Sequence, residues 1–118
     1  MNIKMRIITA VVGILISLLL VTKVNAQTTD VPLDSTNFPD EVFRNYIADE
    51  YDIDNDGVLQ ASEIEAVKSI SLSGKGVASV KGIEYFTELD KVFVQENKLT
   101  EIDISKNTKL RQLHCYDN

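Results

Sequence analysis

The run Asp52-Ile53-Asp54-Asn55-Asp56-Gly57-Val58-Leu59-Gln60-Ala61-Ser62-Glu63 places carboxylates at positions 1, 3, 5 and 12 of twelve. That spacing suits a divalent cation. Calcium takes six to eight oxygens, and alternate residues of a tightly wound loop point inward. Gly57, at position 6, permits the positive φ that swings the chain around an ion. Val58 is expected to offer its backbone carbonyl, Gln60 to act through a water, and Glu63 to close the site with both oxygens. The expected Ca2+ ligands are therefore Asp52, Asp54, Asp56, Val58, Gln60 and Glu63. Two plainer readings stand beside this one: an acidic turn that holds no ion, and an ion that only holds the fold.

A loop of this kind needs a helix on each side. Val42, Phe43, Tyr46, Ile47 and Tyr51 recur at three- and four-residue spacing, which predicts an entering helix with one apolar face. It should begin near Asn37–Glu41, with Asn37 as candidate cap, Pro39 in the first turn, and Asp40 and Glu41 at the positive end of the dipole. The exiting helix should run from Ala61 to about Lys68, with Ile64 and Val67 on one side. Residues 27–36 are polar, contain Pro32 and show no period, which reads as a flexible leader.

The second half repeats. Leu89-Asp90-Lys91-Val92-Phe93-Val94-Gln95-Glu96-Asn97 and Leu110-Arg111-Gln112-Leu113-His114-Cys115-Tyr116-Asp117-Asn118 share L-x-x-L-x-L-x-x-N at an offset of 21. A weaker copy, 22 residues earlier, runs through Val67, Ile70 and Leu72, with Lys75 in the asparagine position. Alternation in each unit predicts a short strand, with Val92, Val94, Leu113 and Cys115 turned to the core. Ile102, Ile104 and Leu110 should close the far side of the coil. Gly74, Gly76 and Gly82 mark turns, and Tyr85 and Phe86 should fill the first coil. An amphipathic helix does not fit, because the close Val92/Val94 and Leu113/Cys115 pairs break its spacing.

The expected fold class is α+β: a helix–calcium loop–helix cap (37–68) packed on a short leucine-rich repeat solenoid with parallel strands (67–118). The open end of such a coil exposes apolar core and has to be covered, and the helix–loop–helix is placed to cover it. The chain reaches Asn118 after two and a half units, where roughly three are needed for stability. The expectation is an amino-terminal piece of a longer protein; the alternative is an edge that pairs with something.

Residues 1–26 read as a secretory signal peptide. Lys4 and Arg6 precede an uncharged apolar run from Ile7 to Val21, and Val24-Asn25-Ala26 gives small residues before a cut. The run is shorter than the roughly 20 residues of a membrane span, although Lys23 leaves an uncleaved anchor open. After cleavage, 18 acids remain against nine bases. Residues 30–65 hold 11 of the acids and a single base, Arg44, which argues against a nucleic-acid partner. Cys115 stands alone and reads as a small buried hydrophobe rather than a reactive thiol.

Four stretches resemble secreted bacterial leucine-rich repeat surface proteins with an EF-hand-like segment at the front. They are Asn37-Phe38-Pro39-Asp40-Glu41-Val42-Phe43-Arg44, the loop Asp52 to Glu63, Lys81-Gly82-Ile83-Glu84-Tyr85-Phe86, and Leu99-Thr100-Glu101-Ile102-Asp103-Ile104-Ser105-Lys106-Asn107. The resemblance implies surface location and binding, with no defined ligand. Relatives of this kind run on through many more repeats, often to cell-wall attachment.

These readings point to a secreted or cell-surface interaction module with structural calcium. Its expected contact face is the concave strand surface: Lys91, Phe93 and Gln95 beside Gln112, His114 and Tyr116, with Ser69, Ser71 and Ser73 next to them. An ordinary solvated face is the plainer reading. A dockerin-like module for a secreted multi-protein complex is the alternative, although it would need a second D-x-D-x-D-G loop. Catalysis is not expected, since strand alternation sends His114 and Cys115 to opposite faces. A calcium sensor is not expected either, because extracellular sites are tuned to about 10⁻⁴ to 10⁻³ M and this loop is single.

Overall fold

The computed structural model describes residues 30–118, so the expected signal peptide lies outside the described residues. Along the chain come β1 (Val31–Pro32), α1 (Glu41–Tyr51), β2 (Val58–Leu59), α2 (Ala61–Glu65), β3 (Ser69–Ser71), a 3-10 turn (Ile83–Tyr85), β4 (Lys91–Phe93) and β5 (Gln112–His114). β1 and β2 pair antiparallel, whereas β3, β4 and β5 form a parallel sheet in that order. The register puts Ile70 beside Val92 and Val92 beside Leu113. The spacings of 22 and 21 residues therefore stack equivalent residues in layers, and each coil returns to its strand after one circuit.

α1 starts three residues later than a cap at Asn37 would place it. Its cap is Asp40, whose Oδ1 accepts the Phe43 N–H at 3.0 Å. Asn37 serves elsewhere: its Nδ2 donates to the Pro32 carbonyl, and its Oδ1 accepts the Tyr85 hydroxyl at 2.7 Å. Phe43 and Ile47 are fully buried, Tyr46 and Tyr51 are half-buried against the core, and Val42 is exposed. α2 is shorter than expected. The Ala66 and Val67 amides bond three residues back, tightening the helix, and Ser69 is already in β3. Val67 is wholly buried where helix and first coil meet.

The stretch read as a flexible leader is structured over its described part. Val31 pairs with Leu59 and is buried, while Asp34 Oδ1 accepts the Thr36 and Asn37 amides and turns the chain toward α1. A two-residue strand containing proline carries no sequence period, and its order comes from the partner strand.

One core runs through the molecule. Phe38, Phe43, Ile47 and Leu59 from the helical part join Val67, Ile70, Leu72, Val77, Val80, Ile83, Phe86, Leu89, Val92 and Val94 from the coils. Burial at this scale is the main force holding helices and coils together. Phe38 sits at the junction, with ring centroids 5.9 Å from Phe43, 5.8 Å from Tyr85 and 6.1 Å from Phe86. Burial falls away in the last coil. Ile102, Ile104, Leu110 and Leu113 are half-buried. Cys115 is exposed, against the expectation of a buried thiol. It follows the outermost strand of the sheet, where no further strand lies beyond β5 among the described residues.

Asparagines close the coils. Asn97 Nδ2 donates to the carbonyls of Leu72, Val94 and Gln95, and its Oδ1 accepts the Lys75 and Val77 amides. Asn118 repeats the pattern one layer on, donating to Val94, Cys115 and Tyr116 and accepting from Leu99. Turn groups that would otherwise lack partners are thereby satisfied.

Candidate functional site

Asp52 is the C-terminal cap of α1 and Glu63 lies on α2, so the two helices bring the ends of the acidic loop together. Asp52, Asp54 and Glu63 each present a carboxylate oxygen, and these atoms all lie within 4.8 Å of one another. Asp52 and Glu63 are buried and Asp54 is exposed. Backbone donors aim the two buried groups. Asp52 Oδ1 and Oδ2 accept from Asp56 and Gly57 at 3.2 and 2.9 Å. Glu63 Oε1 and Oε2 accept from Ile53 and Gln60 at 2.6 and 3.0 Å.

Gly57 has the positive φ, +83°, that the motif requires, with open space where a Cβ would stand. Asn55 also adopts positive φ, at 59°. β2 follows at once, and β1 supplies its pairing partner. The leader thus braces a loop that has no second loop beside it among the described residues.

The other expected ligands are placed differently. Asp56 turns its oxygens into the loop: Oδ1 accepts the Val58 N–H at 2.9 Å and Oδ2 accepts Gln60 Nε2 at 2.9 Å. Val58 lies in β2 and Gln60 is the residue before α2. Three carboxylates thus converge on one point and the fourth ties the loop together.

Like charges this close repel unless something positive sits among them. No lysine or arginine forms an ion pair with them among the described residues; the ion pairs there are Lys68–Glu88, Lys81–Glu84, Lys109–Glu88 and Arg111–Asp90. The Asp54 carboxyl is pushed above its ordinary 3.8, first by loss of water and then by the negative Asp56. An all-oxygen set with three carboxylates has the chemistry of a calcium site, so the residues fit the ion their spacing suggests.

The register sets the residues of the expected contact face side by side on the parallel sheet. Lys91 stands beside Gln112 and Phe93 beside His114. The Phe93 and His114 rings meet edge to face at 4.9 Å, and His114 lies 6.3 Å from Tyr116. Tyr116 is 57% exposed. Gln95 completes the row half-buried, and Ser69, Ser71 and Ser73 continue it on the first coil. The patch holds a single charged residue, Lys91, around three aromatic rings.

No family model matches the chain. Internalin J of Listeria monocytogenes serotype 4b (strain F2365) is 28% identical over 71 residues, which is 60% of this chain and 8% of that protein. Among solved structures, an internalin (inlF) from Listeria monocytogenes str. 4b F2365 superposes with a TM-score of 0.68 at 28% identity, covering 76% of this chain and 27% of that one. Internalin C2 from the same strain gives a TM-score of 0.68 at 19% identity, covering 80% and 42%. The functional domain of InlJ from Listeria monocytogenes gives 0.67 at 24%, covering 76% and 20%.

The chain folds as an internalin-like leucine-rich repeat.

It spans only a small part of the length of those relatives. In this internalin-like chain, sequence reasoning missed two groups that matter to the site. One is β1, which braces the loop. The other is the pair Tyr46 and Tyr51, read only as apolar face residues. Their hydroxyls instead reach β3: Tyr51 donates to the Ser69 carbonyl at 2.6 Å, and Tyr46 accepts the Ser71 N–H at 3.1 Å. Burial, then the neighbouring Tyr46 and Glu50, push the Tyr51 hydroxyl up to about 12. A tyrosine among apolar helix positions is the one available hint, since a buried hydroxyl seeks a partner. Among the described residues no helix is long and apolar enough to cross a membrane.

Proposed function

We propose that this chain is the calcium-stabilised front of a secreted or surface-displayed leucine-rich repeat protein that binds another protein through its concave strand face. The observation that carries the reading is the Phe93–His114–Tyr116 row, in which His114 and Tyr116 are exposed and Phe93 is half-buried, on a parallel sheet of internalin-like form. Rigid rings with polar edges provide contact area at low entropic cost, which is what a protein interface uses. Gln112 and the serines offer hydrogen bonds around them.

Calcium in this reading is a fastener. Asp52, Asp54 and Glu63 would hold it. It would supply the positive charge that lets three carboxylates share one place and fix the angle between α1 and α2. A site of about 10⁻³ M affinity adds about 1 kcal/mol or less at millimolar calcium, so the effect is modest and measurable.

Two measurements test the reading. Calorimetric titration of calcium chloride into the full chain should show one site, lost in Glu63→Gln. Thermal melting of Asp52→Asn should fall below the parent in calcium and match it in chelator. Equal melting in calcium-saturated buffer would end the calcium part. For the face, Tyr116→Ala and Phe93→Ala should abolish adhesion of the displayed protein to the surface it recognises, and adhesion unchanged by both would end the binding part. Gln27 as the first residue of the exported protein would support the signal reading.

A further inference from the structure

β3 is the first strand of the parallel sheet, and its outer edge has no strand beside it among the described residues. Lys68 O accepts from Asp90 and Lys91, and Leu72 N–H donates to Phe93 O, so even-numbered residues bond inward to β4. The odd-numbered residues Ser69 and Ser71 therefore turn their N–H and C=O groups away from the sheet. A parallel strand added there would place one residue beside Ile70. That residue would donate its N–H to the Ser69 carbonyl and accept the Ser71 N–H.

Two tyrosine hydroxyls perform both tasks. Tyr51 donates to Ser69 O at 2.6 Å, and Tyr46 accepts from Ser71 N at 3.1 Å. Together they do what a strand residue would do, and they end a sheet edge that would otherwise invite pairing. The two rings meet edge to face at 6.4 Å, so neither is free to leave without disturbing the other.

The pair is tied to the acidic loop. Tyr51 is the last residue of α1, and the next residue, Asp52, caps that helix through its N–H to Ala48 O at 3.3 Å. Asp52 is also one of the three converging carboxylates. We propose that Tyr46 and Tyr51 form a latch over the β3 edge that the metal loop holds shut. The inference rests on the calcium reading above. With the ion removed, repulsion among Asp52, Asp54 and Glu63 loosens the last turn of α1, Tyr51 leaves Ser69, and the edge opens to a strand or to water. The coupling is reciprocal: if calcium favours the closed latch, breaking the latch weakens calcium.

Amide exchange on the full chain tests this directly. In calcium chloride the Ser71 N–H should be protected. After chelation it should exchange about tenfold faster, while the Leu72 N–H, bonded inside the sheet, stays protected. In calorimetry Tyr51→Phe should bind calcium about fivefold more weakly than the parent, with Tyr85→Phe unchanged as a control. Unaltered Ser71 protection, loss of Leu72 protection together with Ser71, or parental affinity in Tyr51→Phe would each overturn the latch. If calcium binds and Ser71 does not respond, the latch fails and the calcium reading stands. If calcium chloride gives no binding at all, both fall.

Discussion

Asp40 Oδ2 lies 2.8 Å from the Ala78 amide, joining two residues 38 apart in the chain. The same oxygen accepts from Ser79 at 3.1 Å, while Oδ1 caps α1 through Phe43. One side chain thus starts the helix and bolts it to the turn of the first coil. Asp40→Ala should cost about 2 kcal/mol, at the upper end for a lost cap, because the Ala78 and Ser79 amides also lose their acceptor. A denaturation midpoint equal to the parent's would refute the double role.

The same carboxylate makes a pH prediction. Burial alone would raise its pKa, but the amides of Phe43, Ala78, Ser79 and Val42 outweigh burial and hold it below 3.8. A lowered folded-state value means that the added stability is complete above about pH 4 and is lost as pH falls through that value. Asp40→Asn should therefore melt lower than the parent at neutral pH, and the gap should close on acidification. A gap that widens in acid would contradict the assignment.

Gly82 bears directly on Phe38. A Cβ at this position would stand 2.6 Å from Phe38 Cε1 and 2.8 Å from the Asn37 carbonyl, and φ is +108°. Phe38 is wholly buried and has no room to retreat. Gly82→Ala should destabilise by about 2 kcal/mol or more, read as a lower urea midpoint with unchanged slope. Gly57→Ala meets no neighbouring atom, so its loss should come from φ alone and be smaller.

Gly74, Glu96 and Asp117 occupy equivalent turn positions, with φ of 66°, 60° and 56°. Glycine suits that geometry best and aspartate tolerates it, whereas glutamate does neither. Asparagine tolerates it better than glutamate, so Glu96→Asn should add about 0.5 kcal/mol and raise the melting temperature slightly. A drop would show that the exposed glutamate side chain holds the turn in some other way.

Asn97 and Asn118 make the same kinds of bonds in different surroundings. Asn97→Ala takes a partner from five backbone groups of two coils, of which the Val94 and Gln95 carbonyls keep Asn118 Nδ2 and the Gly74 N–H, and should cost about 3 kcal/mol. Asn118 is exposed, so water replaces much of what it provides, and Asn118→Ala should cost clearly less. Equal losses would mean that burial does not set the weight of these bonds.

Much of this was readable in advance where a period existed. The 21-residue offset placed β4 and β5 in register and put Val92 and Val94 in the core, because a repeat fixes many residues by one rule. The acidic spacing picked out Asp52, Asp54 and Glu63, which the two helices bring together. What could not be read was non-local. β1 is too short to carry a pattern, and Asp40, Tyr46 and Tyr51 look like a helix start and an apolar stripe until their distant partners are known. Cys115 was misplaced because alternation gives the direction of a side chain along a strand and says nothing about whether a neighbouring layer covers it.

The two asparagines give the molecule a mechanical direction. Asn97 reaches back to Leu72 and Val77, and Asn118 reaches back to Val94 and Leu99, so each loop of the spring is riveted by the one wound after it. Tension drawn through the far end meets these rivets in sequence. Single-molecule stretching should then lengthen the spring in jerks of about one 21-residue loop, last loop first.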